Sequence, residues 1–245
     1  MEKLSLKKLL KKLAPDVGRR NEEDRIDWVI SALGSVGDGK KILDAGAGTQ
    51  LYRKHCAHLD YVAQDFAEYD GSGDDLGLQM GEFDYGKLDI VSDITDIPCE
   101  DDSFDVILCS EVIEHVPRPR DVIREFARLL RPGGELIITA PFCSLTHFSP
   151  FHFASGFNRY WYESVFEEFG FDATELTPHG NYFDYVAQEI YRTPSMAATY
   201  DAGKLGLTGM IGAWLMLRRL AALSKQEKGS SETLCYGYLV RASKR

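Results

Sequence analysis

The segment ILDAGAGTQLY, residues 42–52, joins an acid to a glycine-rich turn. An apolar run ends at Asp44, and Gly46 and Gly48 then let the backbone bend tightly beneath a ligand. Asp65 follows Gly46 by nineteen residues, at the end of the next apolar run. A carboxylate placed there can hold both hydroxyls of a ribose. Two kinds of nucleoside cofactor use such a pair. The dinucleotide fingerprint G-x-G-x-x-G needs its third glycine at position 51, which is Leu51. A carboxylate at position 44 would repel a pyrophosphate, whereas it attracts the ammonium and sulfonium of S-adenosylmethionine. The spacing therefore favours the methyl donor, and an NAD-dependent oxidoreductase is the disfavoured alternative. In SDITDIP, Asp93 can accept a hydrogen bond from an adenine amine while Ile94 packs on the ring. The competing reading of Asp93 is a turn cap, and Asp96 could take the adenine instead.

Methyl transfer needs alignment of a nucleophile with the methyl group and exclusion of water. A hydroxyl acceptor also needs a base. The candidates are His115, His147 and His152, with Glu111 and Glu114 as acidic alternatives. Glu111 and His115, four apart in EVIEHV, would share a face of a helical turn. The spacing of five between His147 and His152 matches no metal pair and no third ligand is evident, so no metal is expected. His55 and His58 read as solvated helix residues, and His179 as part of a turn.

The two later histidines lie in FCSLTHFSPFHFASGFNRYWYESV, residues 142–165, an unusually aromatic stretch. Phe166, Phe169 and Tyr162 read as the buried face of a helix. Phe148, Phe151, Phe157 and Tyr160, with Phe153 and Trp161, are too dense for packing alone. Asn158 and Arg159 add hydrogen bonds and a cation, so Phe148, Phe151, Phe157, Asn158, Arg159 and Tyr160 are candidates for an acceptor wall. Aromatic faces suit a sugar or nucleotide-sugar, and a phenolic or quinone ring equally.

These residues must be positioned by an alternating set of elements. Apolar runs at 40–46, 61–65, 88–94, 103–111, 135–140 and 171–177 read as strands, with a last edge strand at 234–243. Between them, 121–130 has helical spacing, the turn RPGG precedes the fifth strand, and YWYESVFEEFG forms a helix before the sixth. Apolar strands alternating with helices indicate a parallel sheet covered on both faces. Two segments interrupt the alternation: the glycine-rich, acidic insertion 67–87, and residues 178–230, with helices at about 182–192 and 204–224. The expected organisation is N-terminal helices over 1–36 (a cap, with a second helix starting at an Asn21 N-cap), a cofactor-binding core over 37–177, a helical insertion over 178–230 and a terminal strand in 231–245.

The order ILDAGAGT, QD, SDITDIP, SFDVILCSEVIEHV and LLRPGGELIITAP resembles the class I S-adenosylmethionine-dependent methyltransferases, in the methyltransferase type 11 subgroup, over about residues 40–177. The resemblance implies a Rossmann-like sheet in the order 3-2-1-4-5-7-6 with an antiparallel last strand. It implies that Asp44, Ala45, Gly46, Ala47, Gly48 and Thr49 hold the methionine part, and Asp65 and Phe66 the ribose side. Asp93 and Ile94 would hold the adenine, and Ser110 and Glu111 would lie beside the methyl group. The product would be S-adenosylhomocysteine. The His-x-Phe … Phe-x-x-x-Tyr pattern before E-E-x-G-F is also similar to methyltransferases associated with bacterial surface glycans. The expected activity is O-methylation of a small molecule or glycan by in-line transfer. The alternatives are N- or C-methylation, a quinone or lipid acceptor, and a non-catalytic S-adenosylmethionine-binding protein.

Composition narrows the partners. A net charge of −10 argues against a nucleic-acid binder, since phosphate neutralisation needs clustered Lys and Arg. Five cysteines at wide spacing, with no CxxC, read as reduced thiols in a cytoplasmic setting. MEKLSLKKLLKKLAP reads as a short amphipathic basic helix stopped near Pro15, not a signal peptide. The apolar run 205–217 is short for a bilayer span of about twenty residues. It is read as a packed helix, lid or homodimer surface, with peripheral membrane contact as the alternative.

Overall fold

The computed structural model describes residues 14–245, and the expected basic helix before Pro15 lies outside the described residues. The chain divides into two compact units. One contains Arg25–Thr177 and Gly237–Arg245; the other contains Pro178–Tyr236 with residues 14–24. This division differs from the expected one, because the helical insertion groups with the N-terminal segment and the helix α1, Asn21–Gly34, straddles the boundary.

The larger unit is built on a sheet of seven strands in the order β3-β2-β1-β4-β5-β7-β6. The strands are β1 (Lys41–Ala45), β2 (Asp60–Asp65), β3 (Ile90–Val91), β4 (Phe104–Ser110), β5 (Leu130–Pro141), β6 (Phe171–His179) and β7 (Gly237–Lys244). Two helices belong to the alternation, α2 (Pro119–Leu129) and α3 (Arg159–Phe169). Strands β1, β2, β3, β4 and β5 pair in parallel, and β7 runs antiparallel to β5 over Glu135–Pro141. Ile42, Leu43, Ile107, Leu108, Leu136 and Ile137 are fully buried, as a sheet covered on both faces requires. Crossover connections bring the carboxyl ends of the parallel strands to one edge, where ligands of such sheets bind.

Three expectations change. The third strand, read as 88–94, shrinks to two residues. The Asp89 carboxylate accepts from Ala63 N at 2.9 Å, and Asp93 folds into a turn by accepting from Thr95 N at 2.8 Å, while single backbone bonds from Asp89 N to Ala63 O and from Ser92 N to Asp65 O flank the two paired residues. The RPGG turn lies inside β5: Phe104 pairs with Leu130 and Val106 with Glu135, so residues 131–134 loop out opposite Asp105. The terminal strand is not the sheet edge. Tyr238, Leu239, Val240 and Ala242 are all buried, so β7 is apolar on both faces and sits between β5 and β6, leaving β6 outermost.

The smaller unit pairs α4 (Tyr182–Thr199) with α5 (Gly206–Gln226). Ala187, Leu217 and Leu220 form its centre, with Val17, Phe183, Val186, Ile190 and Tyr191 packed around them. Asn181 caps α4 by accepting from Phe183 N and Asp184 N, and its amide donates to Ser224 at 3.0 Å. Asn21 does not act as the expected cap; it is already helical, and its amide donates to Gln188 at 2.9 Å. Helix α4 continues seven residues beyond the expected 192, through Pro194. Among the described residues, no helix is long and apolar enough to cross a membrane.

Candidate active site

The glycine turn leaves β1 without entering an α-helix; a short 3-10 turn, Arg53–His55, is the next element. Its shape comes from neighbouring strands. Gly46 N and Ala47 N donate to Gln64 O at 2.9 and 2.8 Å, and Gly48 N donates to Asp65 Oδ2 at 2.8 Å. Gly46 has φ +75°, and a Cβ there would stand 2.5 Å from Val112 Cγ2. Only glycine satisfies both the left-handed backbone and that approach. Gln64 then ties β2 outward, donating from Nε2 to Ser92 O at 2.8 Å.

Two carboxyls stand under this turn. Asp44 is 3% exposed, and its Oδ2 accepts from Tyr61 Oη at 2.5 Å. Burial pushes its pKa up to about 7, Tyr61 pulls it down and Asp65 adds to the rise. Asp65 is also raised, chiefly by burial, against backbone N–H bonds from Ala67 and Gly48. Each Asp65 oxygen accepts one backbone N–H, from Gly48 and from Ala67, and a carboxylate oxygen retains a further lone pair. Asp65 thus shapes the turn and keeps capacity for hydroxyls. Asp93 is exposed, and its Oδ1 accepts from both Thr95 N and Thr95 Oγ1 at 2.8 Å, while Ile94 is buried beside it. The turn-cap role of Asp93 is therefore present, and its other oxygen is left for a ligand.

At the end of β4, Ser110 Oγ lies 2.9 Å from Thr139 Oγ1 and 3.4 Å from Tyr52 Oη. Glu111 accepts from Thr139 Oγ1 and Arg25 Nη1, both at 3.1 Å. The expected helical turn carrying Glu111 and His115 on one face does not form. Glu111 has φ +57°, and a 3-10 turn covers only Ile113–His115. Ala67 (φ 59°) and Phe148 (φ 54°) share this uncommon backbone, and such outliers cluster where a site dictates the chain path.

The histidines converge. Ring centroids lie 4.6 Å apart for His115 and His147, 4.9 Å for His147 and His152, and 5.9 Å for His115 and His152. The expectation that His147 and His152 lack a third imidazole is thus corrected: His115 joins them from the turn after β4. Burial lowers His115 to about 3, with His147 adding to the effect, and burial also lowers His152. Glu114 is fully buried and its pKa is raised well above the carboxylate range by burial and by Glu111. Its backbone carbonyl accepts from Phe153 N at 2.9 Å and Ala154 N at 3.1 Å, which fastens the aromatic loop to the turn after β4.

The aromatic candidates divide. Phe148 packs 4.9 Å from His115, and Phe151 meets Phe66 edge-on at 5.0 Å, so both adjoin the histidines or the end of β2. Phe157 is 5% exposed and packs on Trp161 at 4.4 Å. Asn158 caps α3 by accepting from Trp161 N, and Arg159 and Tyr160 occupy its first turn, with Tyr160 largely exposed. These four build a helix start.

The insertion 67–87 was not among the expected site segments, yet it covers the site. Tyr69 stacks on Phe148 at 4.3 Å, and Phe83 meets Phe148 edge-on at 5.7 Å. A Cβ at Gly48 would stand 3.3 Å from Phe83 Cζ. Leu78 N donates to Thr146 O at 3.0 Å, and Phe148 N donates to Leu78 O at 3.1 Å. Its aromatics at 69, 83 and 85, among many acids, were the available signal. Arg25, far from the motifs in sequence, offered none.

Residues 43–138 match the family model described as a methyltransferase domain. A ubiquinone biosynthesis O-methyltransferase of Dechloromonas aromatica is 34% identical over 122 residues, 47% of this chain and 49% of that protein. A demethylmenaquinone methyltransferase of Renibacterium salmoninarum is 35% identical over 127 residues, 50% of this chain and 49% of that protein. The chain spans about half the length of the curated relatives it matches. A phosphoethanolamine N-methyltransferase 2 of Haemonchus contortus, solved with S-adenosyl-L-methionine, aligns with TM-score 0.52 at 15% identity, covering 91% of this chain and 52% of that one. The 4+2 cyclase SpnF aligns with TM-score 0.54 at 15% identity, covering 93% of this chain and 84% of that one. The shared fold is Rossmann-like and hosts more than one chemistry.

Proposed function

We propose that this chain is an S-adenosylmethionine-dependent methyltransferase acting on an oxygen of a small-molecule acceptor. One arrangement carries the reading: buried Asp44 beneath the glycine turn, with the histidine cluster also following the parallel strands. S-adenosylmethionine, when bound, supplies a methyl group on a sulfonium that is already a good leaving group. Asp44 would hold its positive charge, the turn from Asp44 to Thr49 its methionine part, and Asp65 its ribose hydroxyls. Asp93 and Ile94 would hold the adenine, while Ser110 and Glu111 form the wall between donor and acceptor. The histidines would take the acceptor's proton, and Tyr69, Phe83 and Phe148 would exclude water.

A phenolic or quinol ring is the acceptor we favour, because the relatives carry names from ubiquinone and menaquinone biosynthesis. Phe148 and Phe151 offer ring faces for it. A sugar or glycan acceptor would use the same faces and is the competing arm. Calorimetry with S-adenosylmethionine and with NAD tests the donor, and heat with NAD alone would overturn the reading. Transfer of labelled methyl to a panel of catechols, quinols and glycosides tests the acceptor; labelling of glycosides only would replace the ring by a sugar.

A second surface favours an acceptor held in a lipid layer. On α5, Leu207, Ile211 and Leu215 recur every four residues and, with Met216, are exposed. We infer peripheral membrane contact there, the homodimer being the rival occupant. Flotation with anionic vesicles should carry the protein upward; no association would remove the idea.

A further inference from the structure

We propose that His115, His147 and His152 form a binding site for one divalent transition-metal ion, of which zinc is the representative. The inference goes beyond the methyl-transfer reading, and its binding measurement does not depend on that reading.

The three side chains each offer one nitrogen, and these nitrogens all lie within 4.8 Å of one another. A tetrahedral site with Zn–N bonds of about 2.0–2.1 Å needs neighbouring ligands roughly 3.3 Å apart. Small rotations about the side-chain bonds close that difference. The imidazoles also have the support that metal ligands need. His115 Nδ1 lies 2.6 Å from Phe151 O, and His147 Nδ1 lies 2.8 Å from Leu145 O. A carbonyl only accepts, so Nδ1 carries the proton in both rings and Nε2 keeps its lone pair. Backbone carbonyls that orient imidazoles in this way are the usual outer support of a bound metal.

Two further observations favour a ligand over simple packing of rings. His152 Nδ1 is buried and has no hydrogen bond. Glu114 is fully buried, both its oxygens lack hydrogen bonds, and Oε1 lies 3.7 Å from His115 Nε2. Buried polar atoms without partners are uncommon and call for an explanation such as an ion. A dication among three neutral imidazoles would give Glu114 a counter-charge and His152 a bond. Three nitrogen ligands suit Zn, Co, Ni or Cu better than Mg or Ca, which prefer oxygen.

Three protein ligands leave a fourth position, the pattern of zinc sites that take water or substrate. An acceptor hydroxyl on that position would lose its proton more readily, as metal-bound water does when its pKa falls to about 7. The imidazoles would then act as ligands and the ion as the activator.

The test is equilibrium dialysis of the metal-stripped protein against Zn²⁺, with bound metal measured by mass spectrometry. Co²⁺ loading should in parallel show the visible bands of a tetrahedral nitrogen site. One ion per chain is expected in the wild type and in His55→Ala. His147→Ala and His152→Ala should each lose the ion and the cobalt bands while keeping the wild-type circular dichroism spectrum. These two variants serve where His115→Ala, in the half-buried turn after β4, fails to fold. A wild type that binds no ion, or variants that retain it, would overturn the proposal. Donor binding is measured separately by calorimetry, so failure of the metal site and failure of the methyl-donor reading are distinguishable.

Discussion

The two halves of the candidate site are made in opposite ways. The glycine turn is held by residues of adjacent strands: Gln64 and Asp65 shape it through backbone N–H bonds, and Asp44 is anchored by Tyr61. The histidine half draws on His115 after β4, His147 and His152 after β5, and the insertion 67–87 that covers them. Burial favours the neutral form of Asp44 and of His115 by opposite routes. It raises the Asp44 carboxyl to about 7 and lowers the His115 imidazole to about 3. A cation is invited by the first half once Asp44 ionises, and the second half presents lone pairs. The contrast suggests a donor side specified by backbone geometry and an acceptor side specified by side chains.

That division can be broken by experiment. His147→Ala and His152→Ala should each lower the methyl-transfer rate by about 10²–10⁴-fold while leaving donor affinity nearly unchanged. Equal loss of donor affinity in calorimetry would show that the halves are not separate. Gly46→Ala should act on the other half. The left-handed backbone costs an L residue about 1–2 kcal/mol, and the approach to Val112 adds to it. A turn that relaxes to escape this strain should lose donor affinity by about five- to thirtyfold, and unchanged affinity would dismiss the turn as a donor site.

The pH dependence of donor binding sharpens the contrast further. Asp44 in the free protein loses its proton near pH 7, and a bound cation favours the ionised form. Affinity should therefore rise with pH through 7 and flatten above it, by about tenfold between pH 6 and 8, with proton release on binding. Calorimetry in buffers of different ionisation enthalpy reads that proton, and Asp44→Asn should abolish it. The smallest effect is expected from Tyr61→Phe. Its hydroxyl stabilises ionised Asp44, so removal should shift the midpoint of that profile upward by up to about one pH unit, the worth of a single hydrogen bond. A downward shift would mean that Tyr61 does not stabilise the carboxylate.

The legible parts of the chain were those whose signal is local. The strand ending at Asp44, the glycine at 46 and the carboxylate at 65 follow from spacing along two neighbouring strands. The outer candidates Phe157, Asn158, Arg159 and Tyr160 show how an aromatic helix start shares the composition of a ligand wall. Asn158 serves there as an N-cap and Phe157 as core. The third strand was overestimated because the Asp89 carboxylate takes Ala63 N and Asp93 turns the chain onto Thr95, which composition cannot show.

By itself the amino-acid sequence determined the alternation of strands and helices, the parallel core and the acid–glycine–acid set, because apolar period and turn chemistry act over a few residues. Only the tertiary structure decided that His115 meets His147 and His152, and that Phe83 and Tyr69 cover the site. Those outcomes depend on contacts between residues tens of positions apart. They depend on which loops the sheet order brings to one edge, and no local pattern of residues encodes that.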